Sequence, residues 1–242
     1  MTSRLEALVI DANDPARLAA FWAAMLDRDA AEPEDDGVIT LPANEPYTFA
    51  IDIEPTRHPK TMRNRMHFDL TSASEEVQQA QVERALSLGA SHLDVGQLPD
   101  EPHVVLADPE GNEFCVLQAG NRFTAGCGRI GAVECDGTRA VGEFWQAVLD
   151  WPLVWDQDDE TAIQSPHGGT KIAWGGPPLM DKPPKNRWHL DVRPLHDQAS
   201  EVARLEALGA TRTDIGQGRV SWVVMRDPDG NEFCVLRGAE EA

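Results

Sequence analysis

Residues 107–117 read ADPEGNEFCVL and residues 226–236 read RDPDGNEFCVL, nine identities in eleven positions at an offset of 119. Agreement of that kind between distant segments of one chain marks an internal duplication. The correspondence runs upstream: RNRMHFDLT (63–71) answers KNRWHLDVR (185–193), RALSLGASHLDVGQ (84–97) answers RLEALGATRTDIGQ (204–217), and Phe21-Trp22 answers Phe144-Trp145. The offset drifts from 123 at the Phe-Trp pairs to 119 at the last strands, so the second half has lost four residues, most simply in loops. QAGNRFTAGCG (118–128), glycine-rich and without periodicity, reads as a linker. The expected domains are 1–120 and 127–242.

A finer unit recurs inside each half. Residues 4–12 read as a strand, and DPARLAAFWAAML (14–26) reads as a helix capped by Asp14 with Pro15 at its first position. Short strands are expected at 37–41 and 47–53, around a turn from Pro42 to Pro46. After the loop 54–64 the order repeats, with a strand at 65–71 and a helix at 74–88 opened by Ser74 and stopped by Gly89. Strands near 92–95, 102–107 and 113–117 complete it. The expectation is strand-helix-strand-strand-strand, twice per half, the third strand of the first module being the weakest in the pattern. Four such βαβββ modules make an α+β fold of strongly curved mixed sheets, with helices on the convex side and open concave cups.

Composition narrows the function classes. The 242 residues include 21 Lys and Arg against 41 Asp and Glu, a formal net charge of −20, with 41% hydrophobic residues. A chain this apolar can bury a core, and one this acidic repels phosphate backbones and anionic lipid, so neither nucleic acid nor membrane is an expected partner. No stretch approaches ~18 consecutive apolar residues. The start, MTSRLEALVIDAND, shows no secretory signal, and a cytoplasmic location is expected. Cys115, Cys127, Cys135 and Cys234 form no C-x-x-C pair and no disulfide framework.

Strand alternation assigns faces. Met66, Phe68 and Leu70 suit a helix-facing side, which leaves His67 and Asp69 in the cup; Trp188, Leu190 and Val192 likewise leave His189 and Asp191. With Phe114 and Val116 toward the helices, Glu113 and Cys115 face the cup, as do Glu232 and Cys234. The DPEGN and DPDGN segments themselves suit tight turns, with proline fixing φ and glycine supplying a positive φ.

The paired modules, the HFDL and HLDV strands and the terminal DPEGNEFCVL and DPDGNEFCVL strands resemble the vicinal oxygen chelate superfamily, in its glyoxalase-like or bleomycin-resistance-like branch. The resemblance covers nearly the whole chain, twice. It implies a small-molecule ligand or substrate, and a chain that is either a monomer with an intramolecular pseudo-dimer or a homodimer. In metal-dependent members a cation is held by a first-strand side chain, a His opening the second module and a Glu on the last strand. Carried over, the His falls on His67 and His189, the Glu on Cys115 and Cys234, and the first-strand ligand on Ala7 and Ile130, which cannot coordinate. A further acidic position falls near Asp52 in the first half and on Ala173 or Trp174 in the second.

The resemblance therefore assigns no standard metal site. It leaves His67, Cys115, His189, Cys234 and Asp52 as candidates for a divalent metal (Zn, Fe, Mn or Ni), and His67 and His189 as candidate catalytic bases. The candidate ligand-binding set is His67, Asp69, Glu113, Cys115, His189, Asp191, Glu232 and Cys234. The expected function is small-molecule binding of the bleomycin-resistance type. The alternatives are a lyase, isomerase or dioxygenase with an altered metal site or a metal-free His base, and an assembly module. The loops HPKTMRNR (58–65) and DKPPKNR (181–187) gather cations before each His strand and read either as solvated loops or as covers for an anionic group. Trp155, Trp174 and Trp222 lack counterparts in the first half, which suggests a more aromatic second cup.

With its cysteines mid-strand or near the seam, the native protein should carry four free thiols. Titration under denaturing, non-reducing conditions should count four, and a count of two would show a disulfide.

Overall fold

The Asp14 carboxylate accepts a hydrogen bond from the Arg17 N–H (3.1 Å), and Pro15 supplies the fixed φ of a first turn. Helix α1 (Pro15–Leu26) therefore begins where the sequence places it, after strand β1 (Ser3–Ala12). Ser74 caps α2 (Glu75–Ser87) in the same way, through the Val77 N–H. The computed structural model describes residues 2–45 and 47–238. The expected turn from Pro42 to Pro46 thus ends on a residue outside the described ones.

The first half continues with β2 (Ile39–Leu41), β3 (Ala50–Pro55), β4 (Met66–Leu70), β5 (Ser91–His92), β6 (Val104–Ala107) and β7 (Glu113–Val116). The second half holds β8 (Ile130–Cys135), α3 (Arg139–Leu149), β9 (Leu153–Gln157), β10 (Glu160–Gln164) and β11 (Lys171–Trp174). It closes with β12 (Trp188–Pro194), α4 (Gln198–Ala207), β13 (Thr211–Arg212), β14 (Val223–Arg226) and β15 (Glu232–Val235). Three of the four modules have the full strand-helix-strand-strand-strand order. In the first, only two strands follow the helix, because residues 27–38, where β9 would have its counterpart, carry no strand.

The strands form a seven-stranded sheet, β13-β14-β15-β12-β1-β3-β2, and an eight-stranded sheet, β5-β6-β7-β4-β8-β11-β10-β9. Each sheet joins one module from each half. The joints are antiparallel: β1 pairs with β12 from Ser3 opposite Pro194 to Ile10 opposite Trp188, and β4 pairs with β8 from Met66 opposite Cys135 to Leu70 opposite Ile130. The pseudo-dimer is thus intramolecular, and each cup is built from both repeats rather than lying within one.

One hydrophobic core serves both sheets. The indole of Trp22 meets Phe68 and Phe114 of one sheet at centroid distances of 5.1 and 5.2 Å, and Trp188 of the other at 6.4 Å. In the second repeat Trp145 meets Phe233 at 5.1 Å. A buried indole N–H is costly to leave unpaired, as that of Trp188 is; for Trp22 and Trp145 a partner is at hand. The repeated turns supply it: Trp22 Nε1 donates to Asp108 (3.1 Å) and Trp145 Nε1 to Asp227 (3.4 Å). Asp108 also accepts from the backbone N–H groups of Glu110 and Asn112, both at 2.9 Å, while Gly111 turns the chain at φ +81°. Burial nevertheless pushes the Asp108 and Asp227 carboxyls up to about 6, against the pull of these hydrogen bonds.

The turns also fasten the halves together. Glu110 accepts from the backbone N–H groups of Asn13 and Asp14, and Asp229 from that of Thr138, so each turn covers the start of a helix in its own half. Arg187 reaches across to Glu110 (3.0 Å) and the Asp11 carbonyl (2.8 Å), and Arg65 reaches Asp136 (2.5 Å) and Asn231 (3.1 Å). In the recurring Asn-Arg pairs the arginine is the cross-brace, while Asn64 and Asn186 bond Asn112 and Asn231 of their own repeat.

Phe233 is fully buried at the centre of the second cluster. Phe233→Ala should lower unfolding stability by ~3–5 kcal/mol through the cavity it leaves, measured by urea denaturation. A loss below ~1 kcal/mol would mean that the site collapses to fill the space.

Candidate functional site: two cup floors

The register of β4 places its side chains. Met66, Phe68 and Leu70 enter the core, and His67 and Asp69 take the opposite face. Strand β7 runs parallel alongside with Cys115 beside Asp69, while β8 runs antiparallel with Glu134 opposite His67 and Ala132 opposite Asp69. One ligand atom each from His67, Asp69 and Cys115 therefore lies within 4.8 Å of the others. The second cup repeats the plan from β12 and β15: His189, Asp191 and Cys234 converge within the same distance, with Val9 opposite His189 and Ala7 opposite Asp191. Ala7 and Ala132, opposite the two aspartates, are small and buried, which leaves room beside each Asp.

His67 Nε2 lies 3.5 Å from Asp69 Oδ1, and His189 Nε2 lies 3.3 Å from Asp191 Oδ1. Burial alone would push both imidazoles down. The adjoining carboxylate and sulfur outweigh it and hold both well above their ordinary value. Burial pushes the Cys115 and Cys234 thiols up, which their histidines only partly offset. Each floor thus sets an imidazole of raised basicity beside an aspartate and a thiol of lowered acidity. The two differ in access: the His67 side chain is 33% exposed and that of His189 only 7%.

Glu134 was not singled out by the sequence pattern, although it is the one charged residue in the strand IGAVEC. Burial, then the Asp69 charge, pushes its carboxyl up to about 7, against the pull of His67. The other cup has Asp52 and Glu54 on β3 instead, both raised first by burial. Asp52, aligned in sequence with the first-half candidates His67 and Cys115, belongs to the sheet of His189, because β3 pairs with β1 and not with β4. It accepts from Thr40 Oγ1 at 2.6 Å and stands outside the converging group.

Other candidates are placed differently from their expected roles. Glu113 binds Lys60 (2.7 Å) and the Asn64 N–H (3.2 Å), and Glu232 binds Lys182 (2.6 Å) and the Asn186 N–H (3.2 Å), so both anchor the cationic loops. Ile130 enters the core. A register irregularity between Asp69 and Leu70 brings Ala132, two residues further on, opposite Asp69 as Ala7 is opposite Asp191. Trp174 is also core, and Trp155 and Trp222 are exposed, 39% and 37%. Trp155 belongs to the eight-stranded sheet and Trp222 precedes a strand of the seven-stranded one, so the three tryptophans do not gather in one cup.

Residues 7–117 and 131–236 each match the family model of the glyoxalase-like domain, and the chain belongs to that family. No curated protein sequence matches it. Among solved structures, glyoxalase I from Zea mays is similar over 98% of this chain and 92% of its own, with TM-score 0.63 and 14% identity. A Bacillus subtilis protein provisionally designated a dioxygenase is similar over 97% of this chain and 84% of its own, with TM-score 0.60 and 12% identity. At such identities the likeness is one of fold. Among the described residues no helix is long and apolar enough to cross a membrane.

Imidazole, carboxylate and thiolate are all ligands that zinc and similar cations accept, and three donors with an open position is the pattern of reactive sites. Asp191 Oδ1 is buried and has His189 Nε2 3.3 Å away, so a cation beside it would take the place of that contact. The donor sets of both floors fit a divalent transition metal.

Folding raises Glu134 from its ordinary 4.5 to about 7, so the native state holds a proton that the unfolded chain releases. Stability from this group must therefore fall as pH rises from about 4.5 to about 7. Glu134→Gln should match the parent at pH 4 and exceed it by about 1–2 kcal/mol at pH 8, after allowance for solvent screening. Urea denaturation at the two pH values measures the difference, and equal destabilisation at both would contradict the assignment.

Proposed function

We propose that the chain binds a small molecule in its two cups, recognised at the floors by His67, Asp69 and Cys115 and by His189, Asp191 and Cys234. The observation that carries this reading is the convergence of the same three side chains in both repeats. A buried ion pair is costly unless further bonds complete it, and these pairs lie within one repeat each, whereas the repeats are joined by others such as Arg65–Asp136, Arg187–Glu110 and Lys185–Asp11. Once protonated, an imidazole held by a carboxylate is a charged donor for a ligand oxygen, and the thiol beside it is a weak donor and a soft, polarisable contact. The position of the His67 side chain makes its cup the more accessible of the two.

The compact donor sets favour a second reading. Here His67, Asp69 and Cys115, or His189, Asp191 and Cys234, hold a divalent metal. When bound, that ion would act as a Lewis acid toward a ligand oxygen. The chain would then stand with the lyases, isomerases or dioxygenases. Its own residues would orient the ligand, and Glu134 would hold or release a proton at its carboxyl oxygen near neutral pH.

Elemental analysis of protein purified without an affinity metal separates the readings. A thermal-shift screen of the same sample against metals, glutathione adducts and cationic antibiotics then looks for the ligand. For a ligand found in this way, His67→Ala or His189→Ala should weaken binding by ~1–3 kcal/mol with little change in Tm. Variants that bind normally and melt clearly lower would make these histidines structural and remove the function from the cups.

A further inference from the structure

A cavity of about 550 Å³ opens between loop 58–64 of the first half and loop 183–187 of the second. It lies at the rim of the seven-stranded sheet's cup. Asp11 lines it, two residues along β1 from the Val9 that faces His189, and Ile215 and Arg226 close its other side. None of the three converging residues of that cup lines it, and neither half alone contains its wall.

Five cations border this cavity in a chain of net charge −20: Lys60, Arg63, Lys185, Arg187 and Arg226. Four already meet carboxylates, namely Glu113, Asp11, Glu110 and Glu232 in that order. Those pairs fix the wall. Asp11 and Asp214 are the carboxylates that line the cavity. Arg63 has no ion-pair partner among the described residues and is exposed. Arg187, with a side chain 9% exposed, spends both terminal nitrogens on the protein, yet its buried Nε has no hydrogen-bond partner. That N–H is sealed from water and so from a ligand; the accessible cation is Arg63, and an oxyanion is the acceptor that arginine matches best.

We propose that this cavity, lined by five cations against two carboxylates, is a binding site for a small organic anion bearing a phosphate or carboxylate group, which pairs with Arg63. The site is separate from the cup floors and depends on neither reading of them. It would take a free anion or the acidic end of a longer ligand that reaches into the neighbouring cup.

The test is calorimetric titration of the full chain at low ionic strength with inorganic phosphate and, separately, citrate, with sodium chloride matched for ionic strength as the control. Saturable binding of at least one anion is expected, and comparison of the two identifies the preferred oxyanion. Arg63→Glu, at an exposed position that leaves the fold intact, should weaken binding by about tenfold or more. Ile215→Trp, which fills the cavity without changing charge, should do the same, and His189→Ala should bind as the parent does. Absence of saturable binding, or unchanged binding in both cavity variants, would overturn the site. Loss of binding in His189→Ala alone would also overturn it, by moving the anion to the cup floor.

Discussion

The antiparallel pairing of β1 with β12 and of β4 with β8 is the contact on which the molecule depends. A single module ends in strand edges with unpaired N–H and C=O groups, which are costly to leave buried and hazardous to leave exposed. Duplication supplies the partner edge within the same chain. The first repeat's opening strand completes the sheet of the second repeat's closing module, and the reverse holds for the other sheet. Each cup floor therefore spans a joint between repeats, from His67 to Glu134 in one and from Ala7 to Cys234 in the other.

Around those joints the repeated turns carry more than a change of direction. Asp108 and Asp227 bind their own turns and the indoles of Trp22 and Trp145, while Glu110 and Asp229 cover helix starts and meet the arginine of the opposite repeat. The near-identity of ADPEGNEFCVL and RDPDGNEFCVL is accounted for largely by this bracing. The cups are where the repeats part company. The floors share His, Asp and Cys, but one is flanked by Glu134 on β8 and the other by Asp52 and Glu54 on β3. With His67 far more exposed than His189, the two sites present different charge and access on a common frame.

That frame and its sites divide cleanly in how they were encoded. Alternation within HFDL and HLDV was enough to send Phe68 and Leu190 into the core and His67 and His189 to the cup, because strand side chains alternate whatever the strand's neighbours are. Helix starts at Asp14 and Ser74 were legible for a similar reason: capping is settled within a few residues.

Neighbours across the sheet were not legible, since pairing is a choice among distant strands and its register is set by the packing of a whole face. Only the tertiary structure gave Asp52 to the cup of His189, brought Glu134 opposite His67, and turned Trp174 and Ile130 into the core. It also decided that Glu113 and Glu232 hold cationic loops, and that those loops meet around a cavity with Arg63 and Arg187 at its wall. The sequence by itself determined the duplication, the modules and the face of each strand, all of which are local properties or direct comparisons. Which face meets which, and so which charges share a site, followed from the pairing of the two repeats.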